Sequence, residues 1–126
     1  MRKRVCEDFA FIPEAEARVL PYGWGTLSFL AEAAEGVSAH VSLARVTIKS
    51  GTRNMRHRHP NCDELLHLLH GTLRHSAGDV WVDMRPGDTI RISRGVAHQA
   101  EVTSTDDAVM LVVYSAGDRQ TEEVAE

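Results

Sequence analysis

The chain has 126 residues, with 14 Lys and Arg against 18 Asp and Glu for a formal charge of -4, and it is 43% hydrophobic. That length suits one domain of the usual size, about 100–150 residues, which can bury a core without help from disulfides or a structural metal. The apolar fraction excludes a disordered chain, and the mild acidity argues against a nucleic-acid or anionic-membrane partner, both of which favour a basic footprint.

Apolar runs such as residues 109–114 fall far short of the ~20 residues that a membrane helix needs. The opening Met1-Arg2-Lys3-Arg4 imitates a signal peptide, but Glu7 and Asp8 interrupt the apolar stretch that must follow. Cys6 and Cys62 are too few for a disulfide framework and lack a metal-type Cys-x-x-Cys spacing. A cytoplasmic protein with reduced thiols is expected. Seven histidines in so short a chain are the compositional oddity.

In chain order, residues 13–18 and 31–35 each read as a helical turn, and residues 26–30 as a strand. Residues 41–49 alternate and end at Ser50-Gly51-Thr52. Residues 65–69 form a short apolar run closed by His70-Gly71, and residues 73–76 and 80–84 flank a hairpin turn at Ala77-Gly78-Asp79. Pro86-Gly87-Asp88 makes another turn before residues 89–92, and strands follow at 97–102 and 108–114. Short strands with Gly-rich turns indicate an antiparallel sandwich or barrel. A single domain over 1–126 is expected, with N-terminal strands and turns in 1–40, a barrel in 41–115 and a frayed polar tail in 116–126.

The informative stretch is residues 51–71, GTRNMRHRHPNCDELLHLLHG. His57 and His59 are two apart. On a helix they would point roughly 200° apart, whereas on a strand they project from one face. Such a pair on a strand suits a transition metal. Pro60-Asn61-Cys62 makes a turn, after which Glu64 opens the next strand and can return a carboxylate to the ion. His98 follows Gly95-Val96-Ala97 at the start of a later strand.

These residues resemble a known family. Gly51, five residues, His57-Arg58-His59, four residues, Glu64, six residues and Gly71 match the first motif of the cupin superfamily; Gly87, seven residues, Gly95, two residues and His98 match the core of its second. Ser93 departs from the usual Pro and Val102 from a frequent Asn, neither at a ligand position. The resemblance implies a jelly-roll barrel of two antiparallel sheets, with His57, His59, Glu64 and His98 holding one divalent transition metal: Fe, Mn, Ni, Zn, Cu or Co. Four protein ligands on an octahedral ion leave two positions open.

Alternation also turns Met55 toward the pocket as an apolar wall, and Arg53 shares that parity and could grip a substrate carboxylate. Arg56 and Arg58 should be solvated. His75 alternates with Leu73 and should face inward, either as a core histidine with a satisfied hydrogen bond or, like Tyr22, as a group that could transfer protons. His67 and Gln99 should point away from the metal. Cys62 reads as a small loop or core residue, and Trp24 and Trp81 as packing anchors. Phe9, Phe11 and Ile12 form an apolar N-terminal segment that in this family often pairs with a second subunit, so a homodimer is expected.

The function expected is that of a metal-dependent enzyme on a small oxygen-rich molecule, a dioxygenase or a lyase or isomerase of sugar-acid-like substrates. No second carboxylate stands clearly inside the pocket. The alternative is a non-catalytic sensor in which the metal holds a small ligand; a metal buffer has too little capacity.

Overall fold

A computed structural model describes residues 2–126. A hairpin of β1 (Arg4–Val5) and β2 (Ala10–Phe11) precedes a 3₁₀ turn at Glu14–Glu16, then β3 (Arg18–Tyr22), β4 (Gly25–Ala31), a second 3₁₀ turn at Ala34–Gly36 and β5 (Ser42–Ile48). The rest of the chain supplies β6 (His57–Arg58), β7 (Glu64–His70), β8 (Leu73–Ala77), β9 (Val80–Met84), β10 (Thr89–Ile92), β11 (His98–Val102), β12 (Ala108–Tyr114) and β13 (Glu122–Glu123).

Two antiparallel sheets form the jelly roll. The larger runs β10-β7-β12-β5-β4-β3 and the smaller β13-β6-β11-β8-β9. Alternation in the sequence becomes alternation in burial: Ser42, Ala44, Val46 and Ile48 of β5 are buried, and the residues between them are half-buried. The larger sheet sends Val46, Ile48, Leu66, Leu68, Met110 and Val112 into a core that Leu73, Met84, Ala100 and Val102 of the smaller sheet complete. Leu68 and Ile48 are fully enclosed, and burying one such side chain stabilises the fold by about 1.5–3 kcal/mol.

Two turns need glycine. Gly78 (φ 60°) lies in the two-residue link that brings Ala77 opposite Val80. Gly71 (φ 77°) ends β7 where a Cβ would stand 2.8 Å from the Asp107 carbonyl oxygen and 2.9 Å from the Ala108 Cα, so both backbone angle and space require it.

The expected strands after residue 40 are present, and four readings differ from the structure. The helical turn expected over 13–18 covers only Glu14–Glu16, because Arg18 already pairs with Phe29 as β3 joins the sheet. The segment at 31–35 is likewise shorter in turn and later in position, since Ala31 still pairs with Leu43. The tail is not frayed: β13 pairs with β6, Val124 N–H donates to the Arg56 carbonyl, and Glu122 closes on Arg58 at 2.9 Å. Trp81 is no core anchor either; 40% exposed on the edge strand β9, it lies under the Arg74 guanidinium at 4.5 Å. The β1–β2 hairpin pairs only with itself and leaves Phe9 and Phe11 exposed. Among the described residues no helix is long and apolar enough to cross a membrane.

Candidate metal centre

Register brings the histidines together. His57 on β6 is the direct cross-strand partner of His98 on β11, and their rings meet with centroids 4.2 Å apart. His59 lies just past β6, its ring 4.9 Å from His57 and 5.1 Å from His98. Glu64 opens β7 in the other sheet and reaches across. One donor atom from each of His57, His59, Glu64 and His98 lies within 4.8 Å of the others; His57 is half-buried and the remaining three are buried.

Main-chain carbonyls fix the imidazoles. His57 Nδ1 is 2.6 Å from the Met55 oxygen, His98 Nδ1 2.9 Å from that of Val96, and His59 Nδ1 2.9 Å from that of Gln120. A carbonyl only accepts, so each Nδ1 carries the hydrogen and donates it, which leaves each neutral Nε2 with a free lone pair. His59 Nε2 and His98 Nε2 stand 3.0 and 3.2 Å from Glu64 Oε1. Lone pairs aimed at a carboxylate oxygen call for a cation between them, a proton or a metal ion.

The titration behaviour agrees. Burial works against a charged Glu64, yet the bonds from His59 and His98 outweigh it and hold its pKa well below the ordinary value. Burial likewise opposes a charged His98, but the hydrogen bond and charge of Glu64 raise its pKa. Burial, reinforced by His98, pushes His57 down to about 4, leaving it a neutral donor. Three imidazole nitrogens and a carboxylate, each imidazole oriented by its second nitrogen, fit a divalent transition ion.

A family model described as a cupin domain matches residues 44–114. The chain belongs to the cupin family. Solved structures similar to this cupin include a variant of the oxalate decarboxylase of Bacillus subtilis, with a TM-score of 0.80 at 19% identity over 88% of this chain and 31% of that one. The formate complex of the Lactobacillus farciminis oxalate decarboxylase gives a TM-score of 0.83 at 16% identity over 95% and 37%. A double-stranded β-helix protein of Klebsiella pneumoniae, described as uncharacterised, gives 0.74 at 16% identity over 86% and 91%. The cupin chain spans about a third of the length of these decarboxylases, and identities this low carry the fold rather than the activity. The Bacillus enzyme is described with Mn(II) centres. No curated protein matches this cupin.

Beside the four donors the cupin has a cavity of about 300 Å³. Its apolar wall belongs to the larger sheet: Leu27, Val46, Leu66, Met110 and Val112, with Tyr22 and Trp24 stacked at 4.7 Å. The smaller sheet contributes His57, His98 and His75. Met55 lines the cavity, 52% exposed. His75 faces inward as its parity required: it is buried, its ring lies 5.8 Å from that of His98 at an interplanar angle of 14°, and its Nδ1 has no protein partner. Burial pushes His75 down to about 4.

Arg53 does not reach the cavity. It bridges Glu101 in the sheet and turns outward to Glu126 at 3.1 Å, because the loop before β6 breaks the alternation that its parity assumed. His67 bonds Thr89 on β10, away from the site. Gln99 also points away, donating to the Asn54 carbonyl. Cys62 is a core residue, its thiol pKa raised by burial.

Sequence reasoning missed the contributions of the end of β12 and the tail. Tyr114, opposite Glu64 in register, lines the cavity, sets its ring edge-on to His59 at 5.2 Å, and is kept a neutral phenol by burial. Arg119, Thr121 and Glu123 line the cavity from the tail, so an exposed second carboxylate does stand at this site. Thr121 Oγ1 also lies 3.2 Å from His59 Nδ1. Gln120 and Thr121 stand at no fixed spacing from the motif, so the sequence held no signal for them.

Proposed function

We propose that this cupin is a metal-dependent enzyme acting on a small molecule that pairs chelating oxygens with an apolar body. The observation that carries the reading is the juxtaposition of the four-donor group with a largely apolar cavity of about 300 Å³. A divalent ion bound there would supply Lewis-acid polarisation of substrate oxygens. Everything else falls to the chain. Leu27, Val46, Leu66, Met110 and Val112 exclude water and hold the apolar body, and the stacked rings of Tyr22 and Trp24 extend that wall. Tyr22 therefore belongs to binding rather than to proton transfer. Tyr114 keeps its phenolic proton and can donate it in a hydrogen bond.

His75 is the proton carrier in this reading. It is neutral near pH 7, lines the cavity, and has a buried Nδ1 that no protein group satisfies. Such walls suit a polyhydroxylated sugar acid poorly, since its hydroxyls would lose water without gaining partners. Lyase chemistry is favoured over oxygen insertion by the fold likeness to the oxalate decarboxylases.

Metal content of the purified protein tests the reading. About one ion per chain is expected for wild type, and a small fraction of that for His57→Ala. Wild type that stays far from unit loading after incubation with Mn, Fe, Co, Ni, Cu and Zn in turn would end it. Release of CO2 from small keto and hydroxy acids, without O2 uptake, would fix the lyase branch. Tight binding of such acids without turnover would identify a sensor instead.

A further inference from the structure

Most cations of this chain are either exposed or closed onto a carboxylate. Arg18 meets Glu32 at 2.8 Å, Arg58 meets Glu122 at 2.9 Å, Arg53 meets Glu126 at 3.1 Å, and Arg45 meets Glu14. Arg119 is different. It is half-buried, and among the described residues it is the only lysine or arginine that lines the cavity. No carboxylate of the described residues pairs with it, and its Nε is buried without an acceptor.

Two aromatic rings hold the guanidinium in place. Its Cζ lies 5.0 Å from the Tyr114 ring centroid and 5.3 Å from that of Phe29. Its main chain is clamped as well: the Asn61 side chain donates to the Asp118 carbonyl at 3.0 Å and accepts from Gln120 N–H at 2.9 Å, one bond on each side of Arg119. A cation fixed at the wall of a largely apolar cavity, with no carboxylate of the described residues in salt-bridge contact with it, is arranged for one that arrives with a ligand.

We propose that Arg119 is the substrate-binding residue that receives a carboxylate, so the molecules this cavity takes are small carboxylic acids with an apolar body. The inference rests on the enzyme reading for the purpose of the cavity. The guanidinium presents paired N–H donors to the two carboxylate oxygens, and the apolar remainder lies against the larger sheet. The sequence-level candidate for this task, Arg53, is spent on Glu126.

The test reads binding rather than turnover. The chain has two tryptophans, so in a Trp81→Phe background the Trp24 emission reports the cavity alone. Benzoate, phenylacetate and hexanoate are each titrated against the matching primary amide, with the protein stripped of metal. At least one acid should bind tenfold or more tightly than its amide, Arg119→Met should erase that preference, and Arg119→Lys should keep part of it. Equal affinity for acid and amide in wild type, no binding by any acid, or a preference that survives Arg119→Met would each overturn the proposal. Thermal melts of the variants show whether they are folded, and the Lys variant keeps the test valid where the Met variant is not. Metal loading is measured separately, so a chain that takes up metal but shows no acid preference refutes Arg119 alone.

Discussion

His75 allows a quantitative prediction, because burial is the main cause of its depressed pKa and its surroundings are closed. The imidazole is 1% exposed, and burial moves it from an ordinary 6.5 to about 4. In the unfolded chain it takes a proton as pH falls through 6.5, whereas in the fold it stays neutral until about 4. The unfolded state therefore binds more protons across that window, and stability drops as the solution is acidified. The loss is negligible above pH 7, about 2 kcal/mol at pH 5 and about 3 kcal/mol below pH 4. Urea unfolding of metal-stripped protein measures it, with wild type and His75→Leu followed from pH 7.5 to 5. Other titrating groups act on both curves, and so does any general cost of the substitution, leaving the difference in slope to His75. Wild type should lose about 2 kcal/mol more than the variant over that range. Parallel curves, within about 0.5 kcal/mol, would show that His75 is protonated or hydrated in the fold and would remove it as the neutral proton acceptor.

Three further outcomes follow from the same coordinates. Zn(II) binding to stripped protein near pH 6 should release protons, seen as buffer-dependent heat, because a metal takes the place of the proton shared by His98 and Glu64; Glu64→Gln should cut both the proton release and the affinity, and heat independent of buffer would contradict the assignment. Asn61→Ala frees the segment whose Gln120 carbonyl orients His59, so metal affinity should fall about 10–100-fold with the fold intact; an unchanged affinity would mean that the tail does not position that ligand. Gly71→Ala should cost about 1–3 kcal/mol in urea unfolding, since the Cβ meets backbone atoms on residues 107 and 108 at a left-handed angle; a neutral result would show that this turn relaxes freely.

Strand periodicity made the His57–His59 pair legible and the turn before Glu64 pointed to that carboxylate, whereas the full four-donor set, His98 included, came from the resemblance to the two cupin motifs. His57 and His59 two residues apart, a turn, and Glu64 at a strand start are constraints that side chains write into the sequence. Parity within regular strands also placed His75 and Gln99. Arg53 failed because parity holds only within a regular strand, and β6 is two residues long with its imidazole pair partly outside it. The tail was illegible for another reason. Its role rests on the Gln120 main-chain carbonyl and on pairs such as Glu122 with Arg58, and a carbonyl leaves no residue type to recognise. Arg119 and Tyr114 were missed because their positions depend on where the chain returns after β12, which is a matter of topology. Trp81 misled because a large aromatic on an edge strand can cover an arginine instead of entering the core.

The division of labour between the sheets has a consequence for change. Imidazoles descend from one layer and the apolar lining from the other, with Glu64 alone crossing between them. Replacing Val46 or Val112 by larger or smaller side chains would reshape what fits without moving the carbonyls that aim the nitrogens. The fit of the apolar body and the cation chemistry are thus separable on one scaffold, whereas Arg119, next to the Gln120 carbonyl that aims His59, is tied to both.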